Sequence, residues 1–293
     1  IATMLQSAGY RTAMVGKWGL GFPKSASLPN TMGFDYFYGF NCQALAHSYY
    51  PVKLWENGVE VETGNDLVVQ GCRFPDSLDR YDPANYEIYG GKNYSCDLMY
   101  DKMVRFVEDN ASSPFFLMWT TTVPHSAVQA PADEVKYYVD KLGDEEPCTN
   151  PGMYLPNRYP HATYAAMVTH IDTQVGKLVE KLKDLGVWDN TIFIVSSDNC
   201  NNGPASNGNS PMEYFQSGGP FKCGKGWGKS SLHEGGIRMP FILHWGNNKN
   251  CGRITRMSSF ADLMPTLAEI TGVNAPENDG VSFAPTVLAE TRH

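Results

Sequence analysis

The chain has 293 residues, 42% hydrophobic and 18% charged, with 28 glycines and 19 prolines, a globular composition with apolar content for a sizeable core. A net charge of -8 argues against a nucleic-acid backbone as partner, and no apolar run has the length of a membrane span. Seven cysteines occur without a C-x-x-C pair, which argues against a zinc cluster.

Ile1 to Ala8 reads as an amphipathic helix running into Gly9, and the chain opens without an initiator Met or a signal peptide, so its natural start is expected upstream. A short apolar strand, Ala13-Met14-Val15, then ends in Gly16-Lys17-Trp18-Gly19-Leu20-Gly21. Lysine is costly to desolvate unless an anion meets it, and glycines let a backbone come close to a ligand. Taken alone, a Gly-Lys pair is ordinarily a solvated surface turn. Asn30 to Gly91 is rich in Tyr, Gly, Asn and Pro, and "ENGVEV" (56–61) sets Asn-Gly between strand-like pieces, a hairpin signal. The Tyr- and Trp-rich loop 45–55 suits the lining of an aryl or a sugar pocket. Two sequons, Asn93-Tyr94-Ser95 and Asn110-Ala111-Ser112, suit a secreted glycoprotein.

Cys96 to Asn110 carries Leu98, Met99, Met103, Phe106 and Val107 at helical spacing. "PFFLMWTTTVPH" follows as a buried strand that breaks at Pro124-His125. Downstream, 164–190 predicts a long amphipathic helix ending near Gly186, and "TIFIVSSDNCNNG" a second buried strand. Residues 239–245 predict a third strand, and 261–272 a closing helix, with Asp262 placed to cap the turn at Pro265. This alternation predicts an α/β fold, a mostly parallel central sheet with helices on both faces. In such sheets ligands gather beyond the carboxyl ends of the strands. With no repeat, low-complexity tract or linker, residues 1–293 are expected to form a single domain.

Each strand ends in polar chemistry: Lys17 after the first, His125 after the second, Asp198-Asn199 after the third. "GKGWGKSSLHEGGIRMPF" adds Lys225, Lys229, His233 and Glu234 before the next strand. Each has an ordinary role on its own. The histidine can be structural, Asp-Asn a turn former, the lysines solvated, and Glu234 a partner of Arg238 in a turn. Together they would converge on one rim. Asp198 and the Asn199 carbonyl are hard oxygen ligands suited to calcium or magnesium rather than zinc. The lysines and His125 suit a tetrahedral oxyanion beside that metal, as in sulfuryl or phosphoryl transfer.

"GYRTAMVGKWGLG", "TTTVPHSAVQAP", "IVSSDN", "GKSSLHEGGIRMPF", "DLMPTLAEITGV" and "DGVSFAPTVL" resemble, in order, blocks of the sulfatase family, an alkaline-phosphatase-superfamily branch, closest to its arylsulfatase-A-like group. The resemblance spans nearly the whole chain. It implies an alkaline-phosphatase-like fold and a hydrolase of small-molecule or glycan sulfate esters. The metal would be calcium, with magnesium as the alternative, held by Asp198 and Asn199. Lys17, His125 and Lys229 would hold the sulfate and the formylglycine hydrate. Lys229 rather than Lys225 has the family's interval of five residues before Glu234. A secreted, periplasmic or lysosomal setting is expected. Two other readings stay open: a phosphodiester or phosphonate hydrolase of the same superfamily, and a non-catalytic relative that binds sulfated ligands.

The chain departs from the family pattern in three places. Gly19 stands where the family has a histidine thought to assist sulfate release, and Cys200 where a glycine follows Asp-Asn. The region before the "GKW" block, with the first metal aspartates and the Cys/Ser-x-Pro-x-Arg nucleophile motif, is expected upstream of Ile1, and the C-terminal subdomain is absent. No cysteine here starts that motif, and Ser27-Leu28-Pro29 has Thr31 in place of the arginine. The chain as written is therefore expected to be inactive alone.

Overall fold

The computed structural model describes residues 1–21, 25–200, 211–223, 226–246 and 252–288. In chain order these form α1 (Ala2–Ser7), β1 (Arg11–Lys17), β2 (Tyr36–Phe40), β3 (Lys53–Glu56), β4 (Val59–Glu62), α2 (Ser95–Asn110), β5 (Phe115–Thr120), α3 (Ala132–Leu142) and α4 (Pro160–Asp184). Beyond them lie β6 (Ile192–Ser196), α5 (Pro211–Tyr214), α6 (Glu234–Ile237), β7 (Phe241–Trp245), α7 (Leu263–Thr271) and α8 (Ala284–Leu288).

The fold is α/β, and its central sheet runs β4-β3-β2-β1-β5. β1 pairs in parallel with both β2 and β5, while the β3–β4 hairpin joins antiparallel through β2. Alternation along each strand sorts side chains to two faces. Ala13 and Val15 of β1 with Tyr38 and Phe40 of β2 face a core built by Met99, Met103, Phe106 and Val107 of α2 and Met167, Leu178 and Leu182 of α4. Met14 and Phe37 face the other way, toward Ala2 of α1, Phe34 and Trp55. There Met4 and Leu5 of α1 also meet Ala268 of α7. Helices thus cover both faces, as the sequence predicts.

The Asn57-Gly58 turn has φ of 50° and 83°, the paired left-handed geometry of a tight hairpin. Two elements have weaker sequence signals. β2 is interrupted by Gly39, and α3 is an amphipathic helix with no fully buried residue.

Two expectations need correction in detail. β6 and β7 pair antiparallel with one another, apart from the central sheet among the described residues, and Val195, Phe241 and Ile242 are exposed. An unbroken apolar run marks a strand but carries no information about its direction or depth. Asp262 does not cap α7 with its side chain. Its carboxylate accepts from Ser259 N at 2.9 Å, closing a capping box on the preceding turn, and from Val281 N at 2.8 Å.

Where β1 ends, the three parallel strands come unusually close. A Cβ on Gly16 would stand 2.1 Å from the Thr120 carbonyl oxygen, and one on Gly39 would stand 1.9 Å from that of Gly16. Both glycines have positive φ, 130° and 149°. Gly9 also has positive φ, 88°, but has open space around it. Gly16→Ala is expected to cost more than about 3 kcal/mol of stability in urea unfolding, and Gly9→Ala about 1–2 kcal/mol, its backbone term alone.

Away from the sheet, buried His170 on α4 joins three helices. Its Nδ1 meets Glu134 of α3 at 2.8 Å and its Nε2 meets Asp97 of α2 at 3.1 Å. Burial pulls its pKa down, but the hydrogen bonds to Asp97 and Glu134 outweigh it and hold it above the ordinary histidine value. A raised folded-state pKa contributes stability that is complete below the unfolded value of about 6.5 and is lost as pH rises through the folded value. Urea-melt stability is expected to fall across that window, and His170→Leu to remove the decline.

Candidate functional site

The glycine contacts explain how Lys17 is delivered. With Gly16 wedged between Gly39 and Thr120, β1 continues as a bonded ribbon. The Thr120 hydroxyl donates to the Lys17 carbonyl at 2.9 Å, Trp18 N to Phe40 O at 2.9 Å, and Gly19 N to Asn41 O at 3.2 Å. The Trp18 indole donates to Ser27 O at 2.7 Å and packs edge-on to Phe34. Trp18 is thereby pinned on the α1 side of the sheet, and alternation turns Lys17 to the opposite side.

His125 stands in the loop after β5. Fully buried Tyr49 fastens that loop, its hydroxyl donating to the carbonyls of Thr122 at 2.5 Å and His125 at 2.8 Å. Gln129, also buried, accepts from Tyr49 N at 2.8 Å and donates to Tyr89 O at 2.6 Å. The segment around 45–50 and the loop 122–130 are therefore tied together by these bonds. His125 Nδ1 bonds the Ser126 carbonyl.

Lys229 is held by the glycine pair that follows it. A Cβ on Gly235 would meet Lys222 O at 1.8 Å, and one on Gly236 would meet Ser231 O at 2.3 Å and Gly228 O at 2.5 Å. The loop folds tightly against these bare backbones. Cys200 N donates to Gly236 O at 3.3 Å, and its thiol to Arg238 O at 2.6 Å. This stitches the Asp198-Asn199 turn to the Lys229 loop. Within the turn Asn199 N donates to Asp198 Oδ1 at 2.9 Å and the Ser197 hydroxyl to Asn199 O at 2.8 Å.

Several of these groups act on one another electrostatically. Burial lowers the His125 pKa first of all, and Lys17 and Lys229 lower it further, while the Ser126 carbonyl and Asp198 pull it up. One imidazole thus senses three of the groups named from the sequence, Lys17, Lys229 and Asp198, with Asn199 adjacent in the chain to Asp198. His47 senses the same field: burial first, then His125, Lys17 and Lys229, all hold its pKa down. The two imidazoles stack in parallel, centroids 5.4 Å apart and planes 7° apart, and Tyr154 lies edge-on to both at 5.1 and 6.0 Å.

Other candidates are occupied locally. His233 stacks on Trp227 at 4.2 Å, and Glu234 pairs with Arg238 at 2.7 Å, the ordinary turn role. Lys225 lies outside the described residues. His47 and Tyr154 carry no motif, and only the aromatic richness of 45–55 pointed toward the first.

Asp198 and Asn199 have the oxygen chemistry of a hard-cation site, but calcium takes six to eight oxygens. Among the described residues no group of three or more His, Cys, Asp or Glu side chains could hold a metal ion. The described residues therefore fit part of a metal shell, and no chemical step here is routed through one. Also among the described residues, no helix is long and apolar enough to cross a membrane.

The family model described as Sulfatase matches residues 1–273. The chain is 27% identical over 303 residues to an arylsulfatase of Hemicentrotus pulcherrimus, covering 98% of this chain and 46% of that protein. It is 30% identical over 292 residues to N-acetylgalactosamine-6-sulfatase of Rattus norvegicus, covering 97% and 47%. Among solved structures, Ps i-CgsB in complex with k-i-k-neocarrahexaose superposes with a TM-score of 0.70 at 26% identity, covering 97% of this chain and 56% of that one. The chain spans about half the length of the curated relatives it matches.

Removing a neighbouring positive charge favours the protonated imidazole. Lys229→Met is therefore expected to raise the titration midpoint of His125, followed by its ring proton resonances. Lys222→Met, which removes an amine lying 4.7 Å from the Trp227 ring centre, should leave that midpoint unchanged.

Proposed function

The chain belongs to the sulfatase family, and we propose on that premise that it contributes the anion-holding half of a site that hydrolyses sulfate esters. The observation that supports the reading is that Lys17, Lys229 and Asp198 all act electrostatically on the half-buried His125. Two ammonium groups and an imidazole match a sulfate group that gains charge on its bridging oxygen as the ester breaks. Preorganised donors stabilise that charge without reorganising during the reaction.

In this reading Lys17 and Lys229 bind sulfate oxygens, and His125, kept from protonating first by burial and then by the two lysines, donates or accepts a proton at low cost. Sulfatases are a metal-dependent family. Asp198 and Asn199 would present oxygens to a divalent cation, calcium or magnesium, whose remaining ligands lie outside the described residues. A formylglycine would supply the covalent nucleophile when present. The substrate class we assign is a sulfated carbohydrate, supported by relatives named for N-acetylgalactosamine-6-sulfate and by a neighbour holding a carrahexaose. The extracytoplasmic setting read from the sequons belongs to the same proposal.

One observation favours a second reading, a sulfated-ligand binder without turnover. Gly19 has φ of 79°, so the family's imidazole is missing there, and a histidine would add about 1–2 kcal/mol of strain.

Two measurements test the proposal. Sulfate at about 100 times its Kd contributes about 2.7 kcal/mol of stability, so it is expected to raise the melting temperature by several degrees. Lys17→Met and Lys229→Met should each abolish most of that rise. A melting temperature indifferent to sulfate would sink the reading, and a response to phosphate monoesters alone would move it to a phosphoryl hydrolase. In addition, the 293-residue chain is expected to show no turnover of an aryl sulfate, because no Cys/Ser-x-Pro-x-Arg motif occurs in it. Metal-dependent turnover lost on mutating a residue of this chain would overturn that statement.

A further inference from the structure

His47 is the basic side chain at this site that no motif announces. It ends the turn Leu45–His47, and two residues on, Tyr49 bonds the carbonyls of Thr122 and His125. That clamp sets the His47 ring parallel to His125, 5.4 Å between centroids. Tyr154 closes the far side of the pair, edge-on to both rings. Both imidazoles are half-buried, so each keeps an open side.

The arrangement is self-repelling. Lys17 from the end of β1, Lys229 from the loop before α6 and His125 from the loop after β5 all act on His47 in the sense that disfavours its protonation. Among the described residues no carboxylate is one of the groups that shift it, whereas Asp198 acts on His125. The His47 ring nitrogens have no hydrogen-bond partner among the described residues, and Tyr154 meets the ring through its aromatic edge. The Tyr49 clamp and the His125 stack thus hold an imidazole in the field of two ammonium groups, with no partner for its nitrogens among the described residues. An anion fits, because it turns every one of these repulsions into an attraction.

We propose that His47 contacts the sulfate ester directly, sharing the anion with His125 as a stacked imidazole pair between Lys17 and Lys229. The inference rests on the sulfate-ester reading of the site and adds a donor to it. His125 is anchored by its own Nδ1 donating to the Ser126 carbonyl, so its Nε2 can donate to the ligand once that nitrogen takes up a proton. His47 has no such anchor, so either nitrogen can turn to the anion, and the stack restrains the ring to one plane. A neutral imidazole donates one hydrogen bond to a charged acceptor, and a protonated one donates more strongly.

The test uses the 293-residue protein and inorganic sulfate as the probe, with histidine ring resonances and calorimetric affinity as readouts. Sulfate is expected to shift the ring signals of both His47 and His125. His47→Phe keeps a flat ring on the stack but removes both nitrogens, and should weaken sulfate binding about 10- to 100-fold, the worth of one charge-assisted hydrogen bond. His47→Gln, which retains a donor, should recover part of that loss. An unchanged melting temperature and unchanged backbone amide resonances away from the stack in the sulfate-free variants would establish that folding is intact.

The outcomes separate this inference from the reading beneath it. If sulfate shifts His125 and Lys17→Met weakens binding, while His47→Phe binds as tightly as the parent, the role of His47 is overturned and the site stands. If sulfate moves none of these signals, both are overturned.

Discussion

The close approach of backbones at the carboxyl end of β1 is the constraint on which the rest of the site depends. Gly16 sits between the Thr120 carbonyl on one side and Gly39 on the other, where no Cβ has room. Because the three strands touch there, the hydrogen-bond ladder runs on past the strand as Trp18–Phe40 and Gly19–Asn41. The loops leaving β1, β2 and β5 therefore start from one compact point. Lys17, the 41–50 segment that bears His47, and the loop that bears His125 all issue from it. A wider sheet edge would spread these cations beyond the range over which they sense one another.

The same device recurs in the Lys229 loop. Gly235 and Gly236 are buried and let the carbonyls of Lys222, Gly228 and Ser231 approach more closely than any side chain would permit. In both places bare backbone gives a loop a tight, specific course, and a lysine is delivered at its end. Among the described residues neither lysine has a carboxylate ion-pair partner, and main-chain packing positions the charge. A carboxylate would neutralise each lysine and compete with an incoming anion, whereas packing leaves the charge available.

The depressed imidazole pKa values follow from this design. Burial and two ammonium groups both oppose a further positive charge. Such groups stay neutral near neutral pH and become easier to protonate when a negative ligand arrives, so ligand binding and proton uptake are coupled. His170 shows the opposite case in the same chain. There two carboxylates from separate helices outweigh burial and hold the proton on, and the histidine serves the fold.

Much of the molecule is legible in the residues themselves. Helical spacing marks α2 and α4, Asn57-Gly58 marks the hairpin, and the apolar runs mark β1, β5, β6 and β7, because periodicity and turn chemistry are local properties. The types of residue at the strand ends likewise suit an anion and a hard cation, the ligands proposed above. Other features needed the assembled structure. Pairing partner and direction arise between segments distant in the chain, so β6 and β7 read as strands of a parallel sheet yet pair with each other. Asp262 lies where a helix cap belongs, but Ser259 N and the distant Val281 N take its carboxylate. His47 has no motif because its role comes from a stack with a residue 78 positions away, fixed by Tyr49 and Gln129. The sequence by itself determined which chemistry the chain carries and which local elements bear it. Tertiary structure alone decided which of those groups share a field, since that depends on backbone contacts that no local pattern encodes.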